Sequence, residues 1–423
     1  MTSTVPAGGD VRTIAPGEIV LGLQGTVDYE IEWNRATVDA LVTQFAISES
    51  EVDADAPIVD ERSLLVSLLG FLATGEGGER HAASSDIVEQ FASRFPRAVT
   101  LGGTSVRAAL LLRALGIPSL LHLVSTDDNV RRLLPADCAA ITSATEDTLD
   151  PHLIIQFRPG DGARVGAADL IATEANRVII ANDPPAENLV LSAELGERVS
   201  AARVFLVSGF NTIRDPAVLV ARLDEVRAVC TQIRRGGWVV YEDAGFHTPD
   251  HQPAVSDALG PACDVFSLNE DELQSRLGRR FDLHDAAAAA QAVQELRAQV
   301  PDPVLVVHTR YWTIVLTTPA RRGALDRVAS AADAGNAAAG GRYAFGDDVT
   351  AQDILTIAAG PRQAASVPFA RDIERILGGL GRCMPGFDID AAHPTTIGLG
   401  DTFIGGLIGS LAKDDALPAR QEA

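Results

Sequence analysis

Residues 395–406 of the chain read TTIGLGDTFIGG. A glycine-rich turn that opens a helix presents unpaired backbone N–H groups and the positive end of the helix dipole, and together these bind an anion. Asp401 stands beside that turn. A carboxylate next to a stabilised phosphate can take the proton of a nucleophilic hydroxyl. Gly398, Leu399, Gly400 and Asp401 therefore suit phosphoryl transfer to an alcohol, with backbone N–H groups holding the developing charge and Asp401 activating the acceptor. Taken alone, the stretch also reads as a glycine turn with Asp401 as the N-cap of a helix.

Other polar residues can serve the same chemistry. Asn269 and Glu272 in CDVFSLNEDEL follow an apolar strand, where a loop at the carboxyl edge of a sheet would lie. Magnesium takes oxygen ligands and keeps several waters, so one or two carboxylates near a phosphate suffice. Glu242 in VVYEDAG and Glu272 are the candidates, acting through water. The alternative for NEDEL is a helix start whose acidic residues favour the dipole. Asp28, read as the end of a strand, can accept hydrogen bonds from two sugar hydroxyls, and its alternative is a solvated strand residue. Glu79 has Glu76 and Arg80 as neighbours and also reads as a surface charge cluster. Arg177 and Arg158 can grip a phosphate bidentately. Gly102 and Gly103 allow a helix to approach the sheet, and the same closeness exposes N–H groups to a sugar. His308 also reads as a satisfied core histidine; His152 and His247 form no pattern.

These residues need a scaffold. EIVLGL, RVFLVSGF, GWVVYED, CDVFSL, PVLVVHT and WTIVLTT read as short strands with consecutive apolar positions. Strands buried on both faces look that way. Helix-like stretches lie between them: SVRAALLLRALG, PAVLVARLDEVRAVCTQIRR and DAAAAAQAVQELRAQV. Gly116 and Gly236 fit helix C-caps. The expected fold class is α/β, a mostly parallel central sheet covered by helices. Residues 26–33, 152–158 and 176–181 alternate polar and apolar, as half-exposed antiparallel strands do, and suggest a small β-rich lid. Residues 331–346 read as a loop or a small-residue helix, and the tail after about residue 412 as frayed.

Composition bounds the class. The 423 residues are 46% hydrophobic and carry a net charge of −22, which argues against nucleic acid or an anionic membrane as partner. No apolar run reaches membrane-spanning length and the first residues lack a signal-peptide pattern, so a cytoplasmic location is expected. Four scattered cysteines suggest neither a disulfide framework nor a zinc site. Lys413 is the one lysine, so a phosphate loop ending in Gly-Lys is impossible and arginine with backbone N–H must handle phosphate. GLQGTVD lacks the GxGxxG and following helix that a dinucleotide-binding dehydrogenase needs.

The GLGD segment resembles the signature of the ribokinase-like superfamily. Further segments resemble one branch of it, the ADP-dependent sugar kinases (glucokinases and phosphofructokinases). Asn269 and Glu272 match that branch's NxxE motif, Glu242 the glutamate of its HxE motif, and His308 and Thr309 a His-Thr pair near the nucleotide. ANRVII resembles a lid stretch in which Arg177 contacts phosphate. LGGTSVRAALLLRALGI supplies the glycine pair Gly102 and Gly103, LGLQGTVDYEI the sugar-binding Asp28, and GEGGER the sugar-contacting Glu79. Val240 replaces the HxE histidine and Gln24 an asparagine of the sugar pocket, which puts substrate identity in question more than reaction class. The resemblance runs in order over most of residues 18–406. It implies a ribokinase-like fold, with a large nucleotide-binding part (1–25, 81–149 and 183–423) and a discontinuous lid (26–80 and 150–182). It also implies a Mg2+-dependent kinase, monomer or dimer, that uses ADP and phosphorylates glucose or fructose 6-phosphate, Asp401 being the general base. The alternatives are an ATP-dependent relative and a non-catalytic sugar or nucleotide sensor.

Overall fold

The computed structural model describes residues 12–392 and 394–413. Its centre is a nine-stranded sheet. In spatial order the strands are β16 (Gly381–Pro385), β15 (Trp312–Leu316), β14 (Val304–His308), β13 (Val265–Asn269), β12 (Trp238–Glu242), β11 (Val204–Val207), β1 (Ile19–Leu21), β5 (Leu120–Leu123) and β6 (Ala139–Thr142). From β14 to β6 every pairing is parallel, and only β15 and β16 join antiparallel. Both faces are covered. Along β12, Trp238 and Val240 enter one apolar cluster while Val239 and Tyr241 enter the other. That explains the unbroken apolar strands of the sequence.

A second sheet has the order β3 (Gly78–His81), β10 (Asn176–Ala181), β7 (His152–Phe157), β2 (Thr26–Glu32) and β4 (Ala98–Gly102), and a hairpin of β8 (Gly162–Val165) with β9 (Ala168–Ile171) stands beside it. One face is apolar: Val27, Tyr29, Ile31, Leu153, Ile155, Phe157, Val178 and Ile180 are buried. Cross-strand register puts Asp28, Glu30, His152, Gln156, Arg177 and Glu79 on the other face. The polar–apolar alternation of the sequence is thus the two faces of this sheet. β2 is antiparallel to β4 but parallel to β7, and β4, within the 81–149 stretch expected in the large part, lies in this smaller sheet. Asp28 stands inside β2, not at its end.

Residues 331–346 fall almost wholly in the helix Leu325–Phe345. It packs on the helix Leu399–Lys413, which also packs on the helix Thr104–Ala114. Small residues make that approach possible: a Cβ on Gly335 would lie 2.7 Å from the Phe403 carbonyl oxygen, and one on Gly406 2.8 Å from Ala338 Cβ. Gly116 (φ +69°) follows the helix Thr104–Ala114 as expected, whereas Gly236 (φ +75°) turns the chain before β12, after a helix that stops at Cys230. Residues 414–423, expected to fray, lie outside the described residues. Among those described, no helix is long and apolar enough to cross a membrane.

Candidate active site

The helix Leu399–Lys413 begins directly after Gly398, whose φ is +67°. Asp401 is its third residue, inside the first turn, and is not an N-cap. Thr402 closes that turn, its N–H and hydroxyl both donating to the Gly398 carbonyl at 3.0 and 2.7 Å. The N–H groups of the first turn have no intrahelical acceptor, as at any helix start. The mouth is uncrowded at Gly400, where a Cβ would meet only the His308 ring edge at 3.5 Å.

The mouth faces the carboxyl ends of adjacent parallel strands, where ligands of open α/β sheets sit. β12 ends at Glu242, β13 at Asn269 and β14 at His308. His308 Nε2 hydrogen-bonds Glu242 Oε1 at 3.0 Å, and its ring stacks on Phe403 at 4.3 Å. Burial drives His308 down to about 4 and pushes the Glu242 carboxyl well up. Glu242 Oε2 is buried with no hydrogen-bond partner among the described residues.

Asn269 and Glu272 are brought together as a capping box. Asn269 N–H donates to Glu272 Oε2 and its side-chain amide to Oε1, both at 2.8 Å, while Asn269 Oδ1 accepts from the backbone of Asp271 and Glu272. Both readings of NEDEL therefore meet in one place: it starts a helix, and it lines a cleft of about 550 Å³ together with Glu79, Asn176 and Arg177. Among the described residues no cluster of three His, Cys, Asp or Glu side chains forms a ready-made cage for a metal. The donor set still fits magnesium, which keeps most of its waters: Glu242 Oε2 is a buried oxygen without a partner among the described residues, and Glu272 follows the neighbouring strand β13. Val240, at the HxE histidine position, is fully buried core on the same face of β12 as Glu242 and offers it no polar atom. Thr309 is taken by the β14–β15 turn, its hydroxyl donating to the Trp312 carbonyl and accepting from the Tyr311 and Trp312 N–H groups.

The smaller sheet faces the mouth with its acidic row. Asp28 is only 3% exposed; Thr26 Oγ1 donates to its Oδ1 at 2.7 Å and Arg107 Nη2 to its Oδ2 at 2.9 Å. Gly102 makes room for it, since a Cβ there would lie 2.0 Å from Asp28 Oδ2. Gly103 (φ +81°) starts the helix that carries Arg107. Gln24 is buried against Gly209, and its Oε1 has no partner among the described residues. Glu79 accepts from the Asn211 amide at 3.1 Å and lies 3.9 Å from His247 Nε2; burial raises its pKa despite the nearby Arg177. His152 Nε2 meets Asp183 at 3.1 Å; burial alone would lower its pKa, but that carboxylate outweighs it and the imidazole is raised. Arg177 has no ion pair among the described residues, lines the cleft, and acts electrostatically on Glu79 and Glu270. Arg158 does not join: its side chain is 54% exposed and paired with Glu32.

Sequence reasoning missed Arg107, His152, Asn211 and Glu30. Arg107 left a readable signal, a single charge inside the apolar run SVRAALLL. The others depend on which segments become neighbours, and that is not written locally.

The model of the ADP-specific phosphofructokinase/glucokinase conserved region matches residues 17–359. A phosphofructokinase from Pyrococcus horikoshii OT3, solved with AMP, superposes with a TM-score of 0.71 at 16% identity, covering 95% of this chain and 99% of that one. An ADP-dependent kinase in complex with fructose 6-phosphate and ADPβS gives 0.74 at 12% identity, covering 94% of each chain. The last common ancestor of ADP-dependent phosphofructokinases from Methanosarcinales gives 0.70 at 14%, over 96% and 95%. At these identities the likeness shows a shared fold. No curated protein sequence matches the chain.

Proposed function

The chain belongs to the ADP-specific phosphofructokinase/glucokinase family, and on that premise we propose that it transfers the terminal phosphoryl group of ADP to a sugar hydroxyl and releases AMP. The observation that carries this reading is the open glycine turn with Asp401 in the first helical turn, facing the carboxyl ends of β12–β14. Asp401 takes the proton of the acceptor hydroxyl. The acceptor oxygen bonds to the β-phosphorus of ADP, and the bond from that phosphorus to the α–β bridging oxygen breaks. The transition state is loose, so catalysis rests on placement and charge neutralisation. The N–H groups of Leu399, Gly400 and Asp401 and the Arg177 guanidinium face the transferred group. Glu242 and Glu272 would hold magnesium through water, and the ion would supply further neutralisation of the phosphates. Asp28, Gln24, Glu79, His152 and the Gly102–Gly103 turn surround the acceptor, and Asn269 and His308 flank the nucleotide.

An uncharged hexose such as glucose fits best. Asp28, Glu30, Glu79 and Asp401 line the acceptor side, and Arg107 is already shared among three of them. A phosphate dianion entering there meets net negative charge. Arg177, with no ion pair among the described residues, supports a second reading in which it holds the phosphate of fructose 6-phosphate, the sugar present in one structural neighbour. The test crosses ADP and ATP with glucose and fructose 6-phosphate, with and without magnesium, and detects AMP. AMP from ADP and glucose, lost without magnesium, supports the proposal. Turnover with ADP-free ATP alone makes the chain an ATP-dependent kinase. Nucleotide binding with no turnover of either sugar makes it a sensor.

A further inference from the structure

Two chain crossings join the sheets side by side. β1 leads into β2 through residues 22–25, and β4 leads into the helix Thr104–Ala114 through Gly103 alone. The crossings touch: a Cβ on Gly103 would lie 3.1 Å from Gly25 Cα. One turn into that helix stands Arg107, 5% exposed. On one side its Nη2 donates to Asp28 Oδ2 at 2.9 Å and Glu30 Oε1 at 3.0 Å, both on β2. On the other its Nε lies 3.8 Å from Asp401 Oδ2. Its stem runs across the glycine turn, where a Cβ on Gly398 would fall 2.6 Å from Arg107 Cδ. Gly398 is therefore needed for the arginine as well as for the turn.

Three carboxylates converge on one buried guanidinium. A planar fork with five fixed donors can serve two partners while facing a third; an ammonium cannot do so with the same geometry. Without it, Asp28, Glu30 and Asp401 would repel each other in a place poor in water. We infer that Arg107 is a positioning residue for the base, holding Asp401 in line only while the acidic row of the smaller sheet is docked against the helix mouth. The inference rests on the kinase reading. Arg107 acts through Asp401 and not on the substrate, so its loss lowers the chemical step and leaves nucleotide affinity in place.

The test compares the wild-type protein with Arg107→Met and Arg107→Lys, using AMP formation from ADP with glucose or fructose 6-phosphate and calorimetric binding of ADP. Misplacing a catalytic group by about 1 Å costs on the order of 100-fold, so Arg107→Met should lose about that factor in kcat with its ADP Kd within about threefold. Lysine restores charge beside Asp401 and should recover roughly tenfold of the loss. Methionine fills a buried space better than lysine, so a role in packing alone predicts the reverse order. If Arg107→Met does not fold, Arg107→Met combined with Glu30→Gln removes one of the stranded carboxylates and is measured instead. Wild-type turnover with a folded methionine variant of equal kcat, or a methionine variant at least as active as lysine, overturns the inference alone. A wild-type protein that makes no AMP overturns the kinase reading and this inference with it.

Discussion

Asp401 carries two possible meanings, and its position separates them. As the third residue of its helix it caps nothing, since Gly398 occupies the entry to the turn. Its charge near the helix N-terminus is worth about 0.3–1 kcal/mol, so Asp401→Asn should fold with a loss no larger than that. On the proposed kinase reading, the same substitution removes the proton acceptor. Turnover should fall on the order of 10²–10⁴-fold while ADP binding, measured by calorimetry, is retained. Activity close to wild type in the asparagine variant would show that the carboxylate takes no proton. Glu272 teaches the converse lesson. It reads as a helix-start residue and also stands at the cleft, because a capping box placed at the carboxyl end of a strand is automatically at the ligand-facing edge.

At the scale of elements, the crossing between the sheets leaves no room for a side chain. Gly103 has φ +81° and ψ 143°, a region that side chains avoid, and its missing Cβ faces Gly25 Cα at 3.1 Å and the Gln24 carbonyl oxygen at 3.2 Å. Gly103→Ala should destabilise the protein by about 1–3 kcal/mol from backbone strain, with the contact adding to it. Gly116 also has a positive φ, +69°, but nothing lies within 4 Å of its missing Cβ. Gly116→Ala should cost only the left-handed penalty, about 1–2 kcal/mol. Urea midpoints of the two variants compare them directly; equal losses would mean that the crossing tolerates a side chain. Because Gly103 also carries the start of the Arg107 helix, its alanine variant should lose turnover as well as stability, and Gly116→Ala should not.

The whole molecule responds to acid through histidines it keeps neutral. Burial, then the charges of His152 and His81, hold His247 at about 3. Burial lowers His122 as well, with Nδ1 at 2.7 Å from the Leu23 carbonyl oxygen and Nε2 accepting from Ser192 N–H at 2.8 Å. Both lie below the unfolded value of about 6.5. Between the two values the unfolded chain binds a proton that the folded chain refuses, so stability is complete above pH 6.5 and is lost as pH falls. From pH 7 to pH 5 the loss should be on the order of 1–2 kcal/mol for His247, with His122 acting in the same direction. His152, raised by Asp183, works in the opposite direction and offsets part of it. Thermal melts at pH 7 and pH 5 check this, and His247→Gln should flatten the dependence; an unchanged slope in that variant would mean His247 is not the group refusing the proton.

The sequence by itself determined the local features: the consecutive apolar runs that become doubly buried strands, the alternation that becomes a sheet with one polar face, and the glycine turn before Asp401. Periodicity and turn chemistry act between neighbours in the chain, so they are legible there. The order of motifs also carried the family, because matched segments spread over most of the chain constrain one another. Only the tertiary structure decided that Ala98–Gly102 leaves the larger sheet, that Thr309 is spent on a hairpin, and that Arg158 faces solvent. The same holds for the meeting of Asp28, Glu30 and Asp401 at Arg107, residues up to hundreds of positions apart in the chain. Strand register and helix docking choose those neighbours, and both are settled by burial summed over the whole fold rather than by any one segment.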